Sequence, residues 1–168
     1  DLKPAKHCAA VCAKANKVLG MINRTITYKS SAVLTRLYKS LVRPLLEYCV
    51  TAWSPYYKKD RELLKRVQHR LTRMVPGLSE LPYMLRLQKL GLWTLEERRN
   101  RADLIELFKI YIGFSKVNFH DLFEIAAETR TRGHSAKLAI HRNKLDLRKY
   151  FFAERVKHSW NSIAQDEV

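Results

Sequence analysis

Helical periodicity dominates the stretch from Ser30 to Val75, where two apolar helical segments meet across Trp53-Ser54-Pro55-Tyr56-Tyr57. In the first segment Leu34, Leu37, Leu41, Leu45, Tyr48 and Ala52 make one stripe whose register continues through Pro44. Proline removes a backbone donor and crowds the preceding turn, so an unbroken stripe predicts one kinked helix. Ser30 or Ser31 is placed to cap its start. In the second segment Asp60 is the expected N-cap of a helix over Arg61 to Val75, which Pro76-Gly77 stops. Its apolar stripe is Leu64, Val67, Leu71, Met74 and Val75. At about 100° per residue, Lys65, Arg66, His69 and Arg73 project from the opposite side, and Lys58 and Lys59 join them at the helix start. The aromatics of the joint read as a core plug, with stacking on bases as the alternative.

The rest of the chain supports long helices. Five glycines and five prolines in 168 residues leave too few turn signals for many short strands. From Pro4 to Thr25 the spacing of Cys8, Val11, Ala15, Val18, Leu19 and Ile22 is helical. Cys8 and Cys12 read as small buried residues, and three cysteines without paired spacing point to neither a disulfide framework nor a zinc site. Leu81 to Leu92 opens a second subdomain. Thr94-Leu95-Glu96-Glu97 fits the capping box, and the helix it starts runs to about Ile112 and stops at Gly113. Its second half, Leu104 to Ile112, is apolar over most of its circumference and is the expected centre of that subdomain. Asn118 to Ala127 reads as a short helix and the region near 129–146 as a basic loop, with Leu138 to His141 extended. Leu147 to Ile163 reads as a last helix with Phe152, Val156, Trp160 and Ile163 on one stripe. The fold class is therefore all-α: a helical bundle over 1–77, then a small helical subdomain over 78–168.

Charge narrows the partners. A small domain usually stays within about 2 to 8 charges of neutrality, and this chain carries +16. A polyanion is implied, with nucleic acid ahead of an anionic membrane surface. No apolar run approaches the roughly 18 residues needed to span a bilayer. Independent catalysis is not expected, because a polymerase or nuclease needs clustered carboxylates for two metal ions. Glu96-Glu97 belongs to a helix start, and Asp166-Glu167 to a polar end. No Gly-rich phosphate loop occurs, the histidines His120, His134 and His158 have no partner in the sequence, and nothing calls for a cofactor or a metal. The residues expected to meet phosphates are Lys58, Lys59, Lys65, Arg66, His69, Arg70 and Arg73, with Arg130 and Arg132 of the basic loop as a second contact.

Several runs together carry a family resemblance. Val18-Leu19-Gly20-Met21-Ile22-Asn23-Arg24-Thr25, Leu37-Tyr38-Lys39-Ser40-Leu41-Val42-Arg43-Pro44-Leu45-Leu46-Glu47-Tyr48, Ala52-Trp53-Ser54-Pro55-Tyr56 and Leu64-Lys65-Arg66-Val67-Gln68-His69-Arg70 resemble the segment after the palm in reverse transcriptases of non-LTR (LINE-type, jockey-like) retrotransposons. The similarity continues through Leu90-Gly91-Leu92, Glu97-Arg98-Arg99, Thr131-Arg132-Gly133-His134 and Trp160-Asn161-Ser162. It departs at Leu71, Ala102 and Ile163-Ala164. The resemblance implies a thumb and the part beyond it, gripping RNA, an RNA–DNA duplex or DNA beside an upstream palm that holds the catalytic aspartates. It also implies a nuclear and cytoplasmic location. The alternative is a captured helical module that binds protein partners and has no polymerase role.

Overall fold

A computed structural model of the chain describes residues 4–126 and 134–164. The fold is all-α as expected: among the described residues extended pairing is limited to an isolated antiparallel bridge between Ile125 and Leu138. The chain divides into two compact units, Asp1–Arg99 and Asn100–Val168. The boundary expected at 77/78 is thus displaced by some twenty residues. Leu87, Leu90, Leu92 and Leu95 bury themselves in the first core, so the segment after Gly77 completes that bundle.

The first unit is built on helix α1, Ala5–Thr25. It buries Cys8, Cys12, Ala15, Leu19 and Ile22 at alternating spacings of four and three, the row that faces a partner helix. A later helix, Lys58–Met74, lies against it and brings Leu64, Val67 and Leu71 into the same core, with Val75 just beyond its end. Removing a buried leucine of this kind costs about 3 to 5 kcal/mol through lost transfer energy and the cavity left behind.

Helix α2, Ser31–Leu37, starts where Ser30 Oγ accepts from the Val33 amide at 3.3 Å. The chain then widens into a π turn over Tyr38–Val42 before helix α3, Arg43–Glu47. The Arg43 amide reaches back five residues to the Tyr38 carbonyl, and Pro44 follows directly. The wide turn gives the proline ring room beside the carbonyl it would otherwise strike. It also corrects the expected stripe. The buried row is Leu34, Tyr38, Val42, Leu46 and Val50, every fourth residue, whereas Leu41, Tyr48 and Ala52 are exposed. A turn carrying an extra residue shifts the register in this way.

The helix breaks at Cys49, whose φ of 49° is left-handed, before the short α4, Val50–Trp53. Trp53 is half-buried against the first core, donates from Nε1 to the Tyr48 carbonyl at 2.7 Å, and meets the His7 ring edge-on at 4.6 Å. It plugs the joint as scaffold. Helix α5, Lys58–Met74, then begins three residues ahead of the expected start at Arg61. The extended Tyr57 offers its carbonyl to the amides of Asp60 and Arg61. Asp60 is therefore no cap; it is buried in the first turn, where the helix dipole favours an anion.

After Pro82, helix α6 spans Tyr83–Leu90 and closes in a Schellman motif: Leu92 N–H donates to Leu87 O, and Gly91 N–H to Gln88 O. Gly91 needs φ of +57° for this, a conformation that glycine adopts without strain. Helix α7, Leu95–Tyr111, begins with the expected capping box. Thr94 Oγ1 accepts from the Glu97 amide at 3.1 Å and Glu97 Oε2 accepts from the Thr94 amide at 2.8 Å, a pairing that contributes about 1 kcal/mol. Within the first unit Arg98 grips Glu47 through Nε and through Nη2, the latter at 2.9 Å. The hydrogen bonds to Glu47 hold the Arg98 guanidinium above its ordinary basicity.

The division between units falls inside α7. In the second unit Leu107 and Ile110 join Phe123, Leu138, Phe152, Val156 and Trp160 in one core. Ile105, Phe108 and Ile112 remain exposed, so this stretch buries one face rather than most of its circumference. Helix α8 is limited to Phe119–Leu122, capped by Asn118. The expected last helix is two pieces, α9 over Asp146–Lys149 and α10 over Phe152–Asn161, separated by an extended Phe151. The Asn161 amide imitates a neighbouring strand, accepting from Leu138 N–H and donating to Leu138 O, each at 2.9 Å. His134 is fully buried, with Nε2 3.0 Å from the Trp160 carbonyl, and is a core residue rather than an exposed base.

Candidate nucleic-acid interface

Helix α5 separates its chemistry by face because its inner row is fixed by α1. With Leu64, Val67, Gln68, Leu71 and Thr72 turned inward, the side chains left outward are Lys65, Arg66, Arg70 and Arg73. Together with Glu62, His69 and Met74 they line an open depression of about 590 Å³. Lys58 and Lys59 are exposed at the helix start, and the Lys59 ammonium lies 5.8 Å from the Tyr57 ring.

The cations differ in how they are held. Arg70 donates to Asn16 Oδ1 of α1 at 3.0 Å, which keeps its guanidinium beside α1. Lys65 lies 3.6 Å from Glu62 and 5.5 Å above the Tyr83 ring. Glu62 is the one acid among the residues lining the depression, and exposed pairs of this type contribute little. Arg61 is neutralised by Glu96 at 2.7 Å and does not add to the ridge.

Helix α6 braces this face through His69 without itself lining the depression. Tyr83 stacks on His69 with ring centres 4.4 Å apart and planes 11° from parallel. Its hydroxyl donates to Gln68 Oε1 at 2.7 Å, and Gln68 Nε2 donates to the Trp93 carbonyl at 3.0 Å. Burial pushes the Tyr83 phenol up to about 12, so it is neutral in any physiological medium. Arg86 is only 2% exposed, and its Nη2 lies 2.9 Å from His69 Nδ1 and 3.4 Å from Nε2. Burial first, then Arg86, Arg73 and Lys65, hold the His69 imidazole below its ordinary basicity. His69 therefore enters the ridge as a neutral, half-buried ring and adds no charge at neutral pH. Arg86 was legible in principle: Tyr83, Arg86, Leu87 and Leu90 share one helical face, which places the arginine among buried neighbours.

Arg130 and Arg132, the expected second contact, lie outside the described residues. Among the described residues no three His, Cys, Asp or Glu side chains gather closely enough to hold a metal ion, and no helix is long and apolar enough to cross a membrane. The arrangement is suited to anions: guanidinium and ammonium groups exposed on one helical face, with acids scarce. No protein-family model, curated protein or solved structure matches this chain.

Proposed function

We propose that this chain is the non-catalytic, primer–template-gripping part of an RNA-directed DNA polymerase of the non-LTR retrotransposon type. The observation that carries the proposal is the ridge itself, Lys65, Arg66, Arg70 and Arg73 exposed on one face of a helix whose other face is locked into a core. Such a face contacts backbone phosphates or 2′-hydroxyls and reads the shape of a duplex, not its sequence. The chemistry of polymerisation belongs, on this reading, to palm aspartates upstream. Its partners are RNA, an RNA–DNA duplex or DNA, and that palm.

The test is salt dependence. A hybrid duplex titrated by fluorescence anisotropy between about 50 and 300 mM salt is expected to bind with log K falling linearly in log salt, at about −3 to −4 for four B-form-like contacts. A flat dependence sinks the proposal. The second reading, a helical module for protein partners, draws on the exposed Ile105 and Phe108 of α7 and Ile112 just beyond its end.

A further inference from the structure

We propose that His69, Arg73 and Arg86 form the seat of one backbone phosphate, in which a phosphate oxygen takes over from the His69 ring as the acceptor for the covered Arg86 guanidinium. The inference rests on the nucleic-acid reading above and assigns one position within that interface. It starts from an imbalance. Arg86 is buried, yet its Nε and Nη1 have no hydrogen-bond acceptor and Nη2 has only the imidazole. Arg86 has no carboxylate partner among the described residues. A buried cation without one is costly, and a fold normally supplies an anion or gives up the charge.

The groups around it add to the imbalance. Arg73 lies near enough to lower the basicity of both His69 and Arg86. From α5 the imidazole is faced by Glu62, Lys65 and Arg73, and from α6 by Arg86 and the neutral Tyr83. Cations thus outnumber the single acid at this point. Arg86 meets both of the stacked rings, His69 through Nη2 at 2.9 Å and Tyr83 with its guanidinium carbon 5.8 Å from the ring centre, and His69 and Arg73 both line the outer depression. A phosphate in the depression meets Arg73 and His69 directly, and Arg86 once the imidazole turns outward.

That turn has a proton attached to it. A neutral imidazole accepts from Arg86; an imidazolium can only donate, and the adjacent guanidinium repels it. In the free chain burial and the neighbouring cations keep His69 neutral. A phosphate anion reverses the local field, His69 takes a proton from solvent and donates to a phosphate oxygen, and Arg86 exchanges the lost ring nitrogen for another oxygen. The pKa of His69 is lower in the free chain and higher in the complex. Affinity therefore rises as pH falls through the bound value and levels off below the free value, by up to about tenfold per pH unit for one proton.

The experiment follows the His69 ring by NMR across pH, with and without a hybrid duplex at fixed salt, on the unaltered chain. The expected result is a His69 titration raised by the duplex, with about one proton taken up per duplex when binding heats are compared in buffers of different ionisation enthalpy. His69→Gln is expected to lose this uptake. Arg86→Gln, checked for fold by circular dichroism, is expected to flatten the salt slope by about one. No rise in the His69 titration on a bound duplex overturns the seat, as does uptake that survives His69→Gln. Inorganic phosphate at matched ionic strength should leave His69 in place; an equal shift identifies a free-anion site and overturns the backbone assignment. Failure of the chain to bind duplex at any salt overturns the nucleic-acid reading and this inference with it.

Discussion

Replacing Lys65, Arg66 and Arg73 together by glutamate is expected to weaken duplex binding at least about a hundredfold at physiological salt, with the salt slope reduced by about three. Each of the three is exposed on the outer face of α5, so the change removes three phosphate contacts and sets three repulsive charges in their place. Stability should move far less than binding: about 0.5 kcal/mol or less at Lys65 and Arg66, and up to about 1 kcal/mol at Arg73, where a glutamate in the last turn of α5 opposes the helix dipole. The melt is thus the internal control. A variant that melts like the parent and still binds duplex with unchanged affinity leaves α5 without its assigned role and favours the protein-module reading.

A stability effect as large as the loss of a buried leucine is expected in the second unit. Arg155 holds Asp103 with two parallel bonds, Nε and Nη2 each at 2.8 Å, and its Nη1 also donates to the Tyr150 carbonyl at 3.2 Å. Both partners are largely shielded, with side-chain exposures of 17% and 9%. Asp103→Ala removes the carboxylate that accepts two of the Arg155 donors and is expected to cost about 3 to 5 kcal/mol in denaturant unfolding. Joint replacement of Asp103 and Arg155 by leucine should recover much of that loss, because removing one member of a buried ion pair costs more than replacing the pair by apolar side chains. A loss under about 1 kcal/mol for Asp103→Ala would show the pair to be solvated.

Local signals were legible in the sequence. The span of α1, the amphipathic split of α5, the capping box at Thr94 and the stops at Gly91 and Gly113 each depend on residues within one or two turns. Signals that depend on tertiary packing were not. Pro44 announced a disturbance, but its resolution as a widened turn, which moved the buried row from Leu41 and Leu45 to Val42 and Leu46, depends on how that row meets α1. Asp60 looked like a cap because its chemistry suits one; Tyr57 turned the chain earlier. The boundary between units was missed because Leu87 to Leu95 carry no mark of which core they enter. On the candidate face Lys65, Arg66 and Arg73 are readable from the helical wheel, and Arg70 from the basic run beside them. The partnership of His69 with Arg86 is not, since seventeen residues separate them.

The joint at Cys49 has a practical side. Burial pushes the Cys8 and Cys12 thiols up to about 11, while Cys49 is exposed between α3 and α4. Maleimides and iodoacetamides react with the thiolate, so at neutral pH they select Cys49 from the three. The unaltered chain therefore carries its own single attachment point for a dye, two residues beyond the Glu47 that Arg98 grips, and the approach of a labelled nucleic acid can be ranged against the first unit without engineering a cysteine.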